Sequence, residues 1–124
     1  MLIAHFRVKV GDMEIGVQSV SRLHDLIDGE ADPDVRMSVT LRRAATQDKR
    51  LFAWYRDTRQ GKDTARNVTI VQLDGPDGTP YNVWRLEQAR PVRWSGPHFD
   101  ALANEIAMEE VELRYKSISW RSSY

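Results

Sequence analysis

His5, His24 and His98 are the only imidazoles in the chain, and their spacing makes no ligand set. They fall in a strand pattern, a loop pattern and a turn pattern, where surface and capping roles are the ordinary reading. The chain has no Cys, which removes disulfides, thiolate nucleophiles and cysteine-ligated zinc together. Ser19, Ser21 and Ser95 lack the Gly-x-Ser-x-Gly context of a nucleophile elbow. Glu109, Glu110 and Glu112 offer carboxylates at the short spacing that acid–base work needs. Neighbouring strand positions point to opposite faces, however, so these read as a solvated strand face. Gly75-Pro76-Asp77-Gly78 lacks the Lys and the following helix of a phosphate loop, and reads as a turn. The expectation is a protein that is not an enzyme, with no catalytic, cofactor-binding or metal-binding residues.

The charges carry more information than these groups do. The 124 residues hold 18 basic and 18 acidic side chains, and 14 of the basic ones are Arg. They are blocked rather than mixed. Residues 1–35 carry three basic and seven acidic groups, residues 36–66 nine and three, and residues 67–124 six and eight. Such blocks suit complementary surfaces. The basic block with Trp54 and Tyr55 could suggest nucleic-acid binding. Those aromatics share the apolar stripe of a predicted helix, and a net charge of zero argues against a dedicated nucleic-acid binder.

The elements that position these groups read as strands. Residues 3–19 alternate as a hairpin around Gly11-Asp12, with Phe6, Val8, Val10, Met13, Ile15 and Val17 inward. Residues 22–34 show no sheet period and contain Gly29, Pro33 and five acids, a long loop. Residues 35–43 alternate strictly, with Val35, Met37, Val39 and Leu41 on one side. Thr46 stands as an N-cap with Asp48 in the first turn, and Leu51, Trp54, Tyr55 and Thr58 make one helix face up to Gly61. Residues 66–74 and 80–95 read as strands, the second with Trp84, Leu86, Val92 and Trp94 on one parity and Pro91 at an edge or bulge. In residues 104–116 the apolar parity slips at Glu109-Glu110, which predicts a β-bulge there. Trp120, near the C-terminus, is a candidate exposed aromatic of the kind enriched at interfaces.

Six or seven strands and one helix, without a βαβ rhythm, predict a mainly β fold. The expected form is a small antiparallel β-barrel or two-sheet sandwich with one α-helix at about residues 46–60. Residues 1–124 are expected to form a single domain. No run of 18 apolar residues is present, so membrane insertion by a helix of this chain is not expected.

Three stretches carry a family resemblance. The first is Phe6-Arg7-Val8-Lys9-Val10. The second joins Val39-Thr40-Leu41-Arg42-Arg43, Asp48 to Arg56, and Asn67 to Asp74. The third runs from Ala89 to Pro97, then Asn104 to Glu109 and Glu112-Leu113. In this order the chain resembles the tail-tube protein family of contractile-tailed phages and related extracellular contractile injection systems. The resemblance implies a barrel-like fold with one helix, six copies in a ring, and rings stacked into a hollow tube inside a sheath. Its implied partners are itself, sheath and baseplate proteins, and cargo in the lumen, with nucleic acid only as passing cargo. The implied location is the bacterial cytoplasm during assembly, then a phage tail or injection particle. No catalysis and no cofactor are implied.

Family tube proteins carry an extended hairpin between their second and third strands, where this chain has the compact stretch 22–34. Alternative expectations are therefore a tube initiator or terminator in the baseplate or cap, or a non-polymerising small binding domain. The charge blocks suggest that acidic 22–34 of one copy meets basic 36–66 of the next. The expected interface residues are Leu23, Asp25, Leu26, Ile27, Asp28, Asp32, Arg36, Arg42 and Arg43.

Overall fold

The computed structural model describes residues 5–21, 37–44, 48–75, 78–96 and 108–122. The alternation of the first strands is realised directly. β1 (His5–Val10) and β2 (Met13–Val17) pair antiparallel around Gly11 and Asp12, and Gly11 takes φ +57°, as a tight two-residue turn requires. Val8, Val10, Met13, Ile15 and Val17 all face the core. β3 (Ser19–Ser21) follows after Gln18 alone. β4 (Ser38–Ala44) buries Val39 and Leu41 as their parity predicts, while Met37 lies just ahead of it and is exposed.

The helix α1 (Arg50–Arg59) begins four residues later than the sequence suggests. Thr46 lies outside the described residues. Asp48 stands ahead of the helix rather than in its first turn. It accepts the Arg50 backbone N–H at 3.1 Å and the Arg50 guanidinium at 2.8 Å. These bonds hold its carboxyl well below the usual carboxylate range and raise the arginine in turn. Leu51 and Trp54 are buried, and the Trp54 indole N–H donates to the Thr64 carbonyl at 2.8 Å. Gly61, at φ +82°, ends the helix as expected.

β5 (Arg66–Leu73), β6 (Pro80–Ser95), β7 (Met108–Arg114) and β8 (Ser117–Ser122) complete an antiparallel arrangement in the order β2-β1-β5-β6-β7-β4-β3, with β8 also paired to β6. β6 is the hinge of the fold. Its first part lies between β5 and β8, and its last part pairs with β7, so one 16-residue strand belongs to two sheets. β7 and β8 run along one edge of β6, and the Lys116 N–H continues the ladder to the Glu87 carbonyl at 2.9 Å. The result is a two-sheet sandwich with one helix against it. β2 and β3, at the two ends of the strand order, follow one another in the chain, which gives the barrel-like path.

The bends fall where the register slips. Glu87 and Gln88 oppose the single residue Asn67, and Gln88 adopts φ +54°. Inward positions therefore switch from Trp84 and Leu86 to Ala89 and Pro91. A second slip between Pro91 and Arg93 opposite β7 puts Pro91 beside a bulge, as its missing N–H demands. Trp84 fills the core. Trp94, beyond both slips, is half-buried against it.

The bulge expected at Glu109-Glu110 is absent. β7 pairs without a slip from Met108↔Ala44 to Arg114↔Ser38. Glu109 simply continues the inward parity of Val111 and Leu113.

Candidate assembly surface

Of the residues expected at an interface, Leu23, Asp25, Leu26, Ile27, Asp28, Asp32 and Arg36 lie outside the described residues. Arg42 and Arg43 sit on adjacent rungs of β4 and so point to opposite faces. Arg42 is half-exposed with its Nε 3.6 Å from Oε1 of Glu110. Arg43 is buried, its Nε donating to Oε1 of Glu109 at 2.7 Å and its Nη2 to the Asp48 carbonyl at 3.2 Å. A carboxylate can leave water here because a charged donor meets it at hydrogen-bonding distance. Sequence reading took Glu109 for solvent-facing and so missed this pair. The signal was present: Arg43 shares the parity of Val39 and Leu41, and Glu109 that of Val111 and Leu113.

The pair closes one end of the core. Gly96 crosses it at φ +111°, where a Cβ would stand 2.9 Å from the Glu109 Cα. Phe52 and Tyr55 of α1 meet Trp94 there, with the Phe52 and Trp94 rings edge-to-face at 5.3 Å. A cleft of about 420 Å³ lies beside Phe52, Trp94, Gly96 and Glu109. The groups that first suggested chemistry are dispersed. His5 is on β1, Ser19 and Ser21 on β3, Ser95 at the end of β6, and His24 and His98 lie outside the described residues. Among the described residues, no three His, Asp or Glu side chains come together as a metal site.

Five of the nine cations in the basic block pair with carboxylates of the same chain. Besides Arg42 and Arg43, Arg50 pairs with Asp48, and Arg56 and Lys62 both approach Asp57. Arg66 lies over the Trp54 ring, 5.9 Å from its centroid.

The first sheet shows a different pattern. Its register sets inward rows beside outward rows. One inward row is Ile15, Val8, Ile70, Trp84 and Trp120. All are buried except Trp120, which is 47% exposed because β8 is the last strand on that side of β6 among the described residues. Its indole N–H donates to Asn82 Oδ1 at 3.1 Å, and Asn82 donates on to Gln72 Oε1 at 3.0 Å. One outward row is Glu14, Lys9, Thr69, Arg85 and Ser119; the adjacent one is Gly16, Arg7, Val71, Val83 and Arg121. Four cations thus share one sheet face, with Glu14 at its β2 edge.

The chain has no match among curated proteins. Its fold is similar to the PVC sheath–tube complex of an extracellular contractile injection system in the extended state, with TM-score 0.74 and 24% identity over 94% of this chain and 88% of that one. It is similar to the tube-terminating cap of the anti-feeding prophage, with TM-score 0.73 and 19% identity over 95% and 88%. It is also similar to Hcp1 from Salmonella typhimurium, with TM-score 0.71 and 14% identity over 100% and 88%. These identities speak to fold. Sequence membership rests on the model of the T4-like virus tail tube protein gp19 family, which matches residues 35–119, from the approach to β4 into β8. The chain belongs to the T4-like virus tail tube protein gp19 family.

Proposed function

We propose that this chain is a structural subunit of the inner tube of a contractile injection system or phage tail, assembling as hexameric rings that stack inside a sheath. The observation that carries the reading is the family match across residues 35–119. A tube subunit needs a stiff wall and adhesive sides rather than a reaction pocket. The 16-residue β6, shared by both sheets, supplies such a wall. The partners are further copies, sheath and baseplate proteins, with cargo passing along the lumen. Assembly takes place in the bacterial cytoplasm before the particle is complete.

Ring contact joins unlike surfaces head to tail, which closes when the rotation per copy allows it. The acids Asp25, Asp28 and Asp32 of one copy contribute electrostatic register against cations of the next, and Leu23, Leu26 and Ile27 contribute apolar anchoring. Of the cations nearest that segment in the chain, Arg36 and Arg42 remain candidates, whereas Arg43 is buried on Glu109 and is not available to a neighbour.

A terminator or initiator role is the second reading. It is supported by the fold likeness to the anti-feeding prophage cap, whose TM-score of 0.73 stands beside 0.74 for the sheath–tube complex. Light scattering on the purified full chain, followed by negative-stain imaging, tests both. Six-fold rings that stack support the tube, and rings that stay single support the cap. Monomers at every concentration overturn the proposal.

A further inference from the structure

We infer that the outward face of β6 and β8, centred on Arg85 and Arg121, is the docking surface for the acidic side of a second copy of this chain. This rests on the tube-subunit reading and names the surface that receives the neighbour. Five of the nine cations in the basic block are paired internally. On the outward rows of the first sheet, Arg7 alone has a carboxylate, Oε1 of Glu14 at 3.2 Å. Lys9, Arg85 and Arg121 have no ion pair among the described residues. Glu87, one row further, is held by the Ser117 hydroxyl at 3.0 Å.

Arg85 and Arg121 stand diagonally across the β6–β8 ladder, opposite Ser119 and Val83 respectively. Such neighbours lie roughly 7–8 Å apart, close enough to share one anionic partner. A depression of about 480 Å³ opens between them, walled by Val83, Ser119 and Trp120. Two guanidinium forks, a hydroxyl and the half-buried Val83 suit a carboxylate-bearing peptide surface with some apolar content.

The chain itself supplies that chemistry. Residues 25–34 hold five carboxylates, at Asp25, Asp28, Glu30, Asp32 and Asp34, interleaved with Leu26 and Ile27. The segment is rooted between β3 and β4, which belong to the other sheet, whereas the cationic face looks outward from the first. Head-to-tail contact brings the two together and leaves each copy with one donor and one acceptor surface.

The test uses the full chain. An equimolar mixture of 15N-labelled and unlabelled protein is treated with a zero-length carbodiimide, and Lys9 crosslinks are read by mass spectrometry. Mixed-isotope links from Lys9 to residues 25–34 are expected. Single-isotope links alone, or links only to other carboxylates, overturn the inference. In parallel, R85E/R121E is expected to raise the midpoint concentration of association about tenfold or more. R85K/R121K retains association, and adding D25K/D28K/D32K to the reversed arginines restores it. Thermal melts of the dilute variants confirm folding. If the wild type assembles and R85E/R121E assembles equally well, the docking surface is wrong and the tube reading stands. If the wild type never assembles, both fall.

Discussion

Arg43 and Glu109 meet across the β4–β7 ladder with Nε 2.7 Å from Oε1, and each residue is 6% exposed. One rung away, Arg42 and Glu110 form the same pair of residue types at 3.6 Å on the opposite, solvated face. The two pairs are an internal control for burial. Removing one partner of a buried pair strands the other charge, at a cost of about 3–5 kcal/mol, whereas an exposed pair is worth about 0–1 kcal/mol. Urea unfolding should therefore show Glu109→Ala far less stable than Glu110→Ala. The double variant R43M/E109L should recover most of the loss, because no charge then remains buried. Equal effects at the two rungs would show that burial does not govern them.

Gly96 and Gly16 give a second contrast. Gly96 combines φ +111° with a Cβ position that meets the Met108 and Glu109 backbone, while a Cβ on Gly16 meets nothing within 4 Å. Gly96→Ala should cost about 3 kcal/mol or more, since neither strain nor backbone contact can relax cheaply. Gly16→Ala, in the middle of β2, should be neutral or stabilising by about 0.5–1 kcal/mol. Thermal melts of the two variants decide it.

Tyr115 sets a pH limit. Its hydroxyl is buried without a hydrogen-bond partner among the described residues, and burial pushes its pKa up to about 12 from the ordinary 10. Above pH 10 the unfolded chain loses this proton while the folded chain keeps it, so stability falls as pH rises from 10 to about 12. The loss attributable to this group is at most about 3 kcal/mol. Tyr115→Phe should be neutral or slightly stabilising at pH 7, because the orphaned hydroxyl is gone. It should also flatten that alkaline slope in denaturation series measured from pH 8 to 12.

Where burial follows a local period, the sequence was sufficient. Val8, Val10, Met13 and Ile15 alternate through a two-residue turn and lie in the core. Leu51, Trp54, Tyr55 and Thr58 mark the helix face before Gly61. The failures share one physical cause, a partner distant in the chain. Glu109 reads as polar until Arg43, 66 positions away, is placed beside it. The inward switch from Leu86 to Ala89 depends on two residues of β6 facing one of β5, and Gln88 gives no glycine to announce its positive φ. The strand pattern around Trp120 is realised as β8, Ser-Ile-Ser-Trp-Arg-Ser, but its pairing with β6 could not be read from the chain. For the assembly surface, the charge blocks were legible. Which cations were already spent on internal pairs was not, because that depends on the β4–β7 register and on the turn before α1.

Trp120 separates monomer stability from assembly. It shares a row with Trp84, yet Trp84 is 1% exposed and Trp120 47%, because no described strand lies beyond β8 on that side. An indole at a sheet edge contributes little burial in the isolated subunit and much once a neighbour covers it. Trp120→Ala should therefore lower the melting temperature of dilute monomer only slightly, the lost bond to Asn82 Oδ1 being exposed. At higher concentration the same variant should weaken association by about 2 kcal/mol or more, the size of an interface hot spot. Trp120→Phe keeps an aromatic face without the indole donor and should fall between the two. Sedimentation equilibrium across a concentration series reads both quantities on one sample. A large loss of monomer stability with unchanged association would mean that this side chain serves its own fold and not the ring.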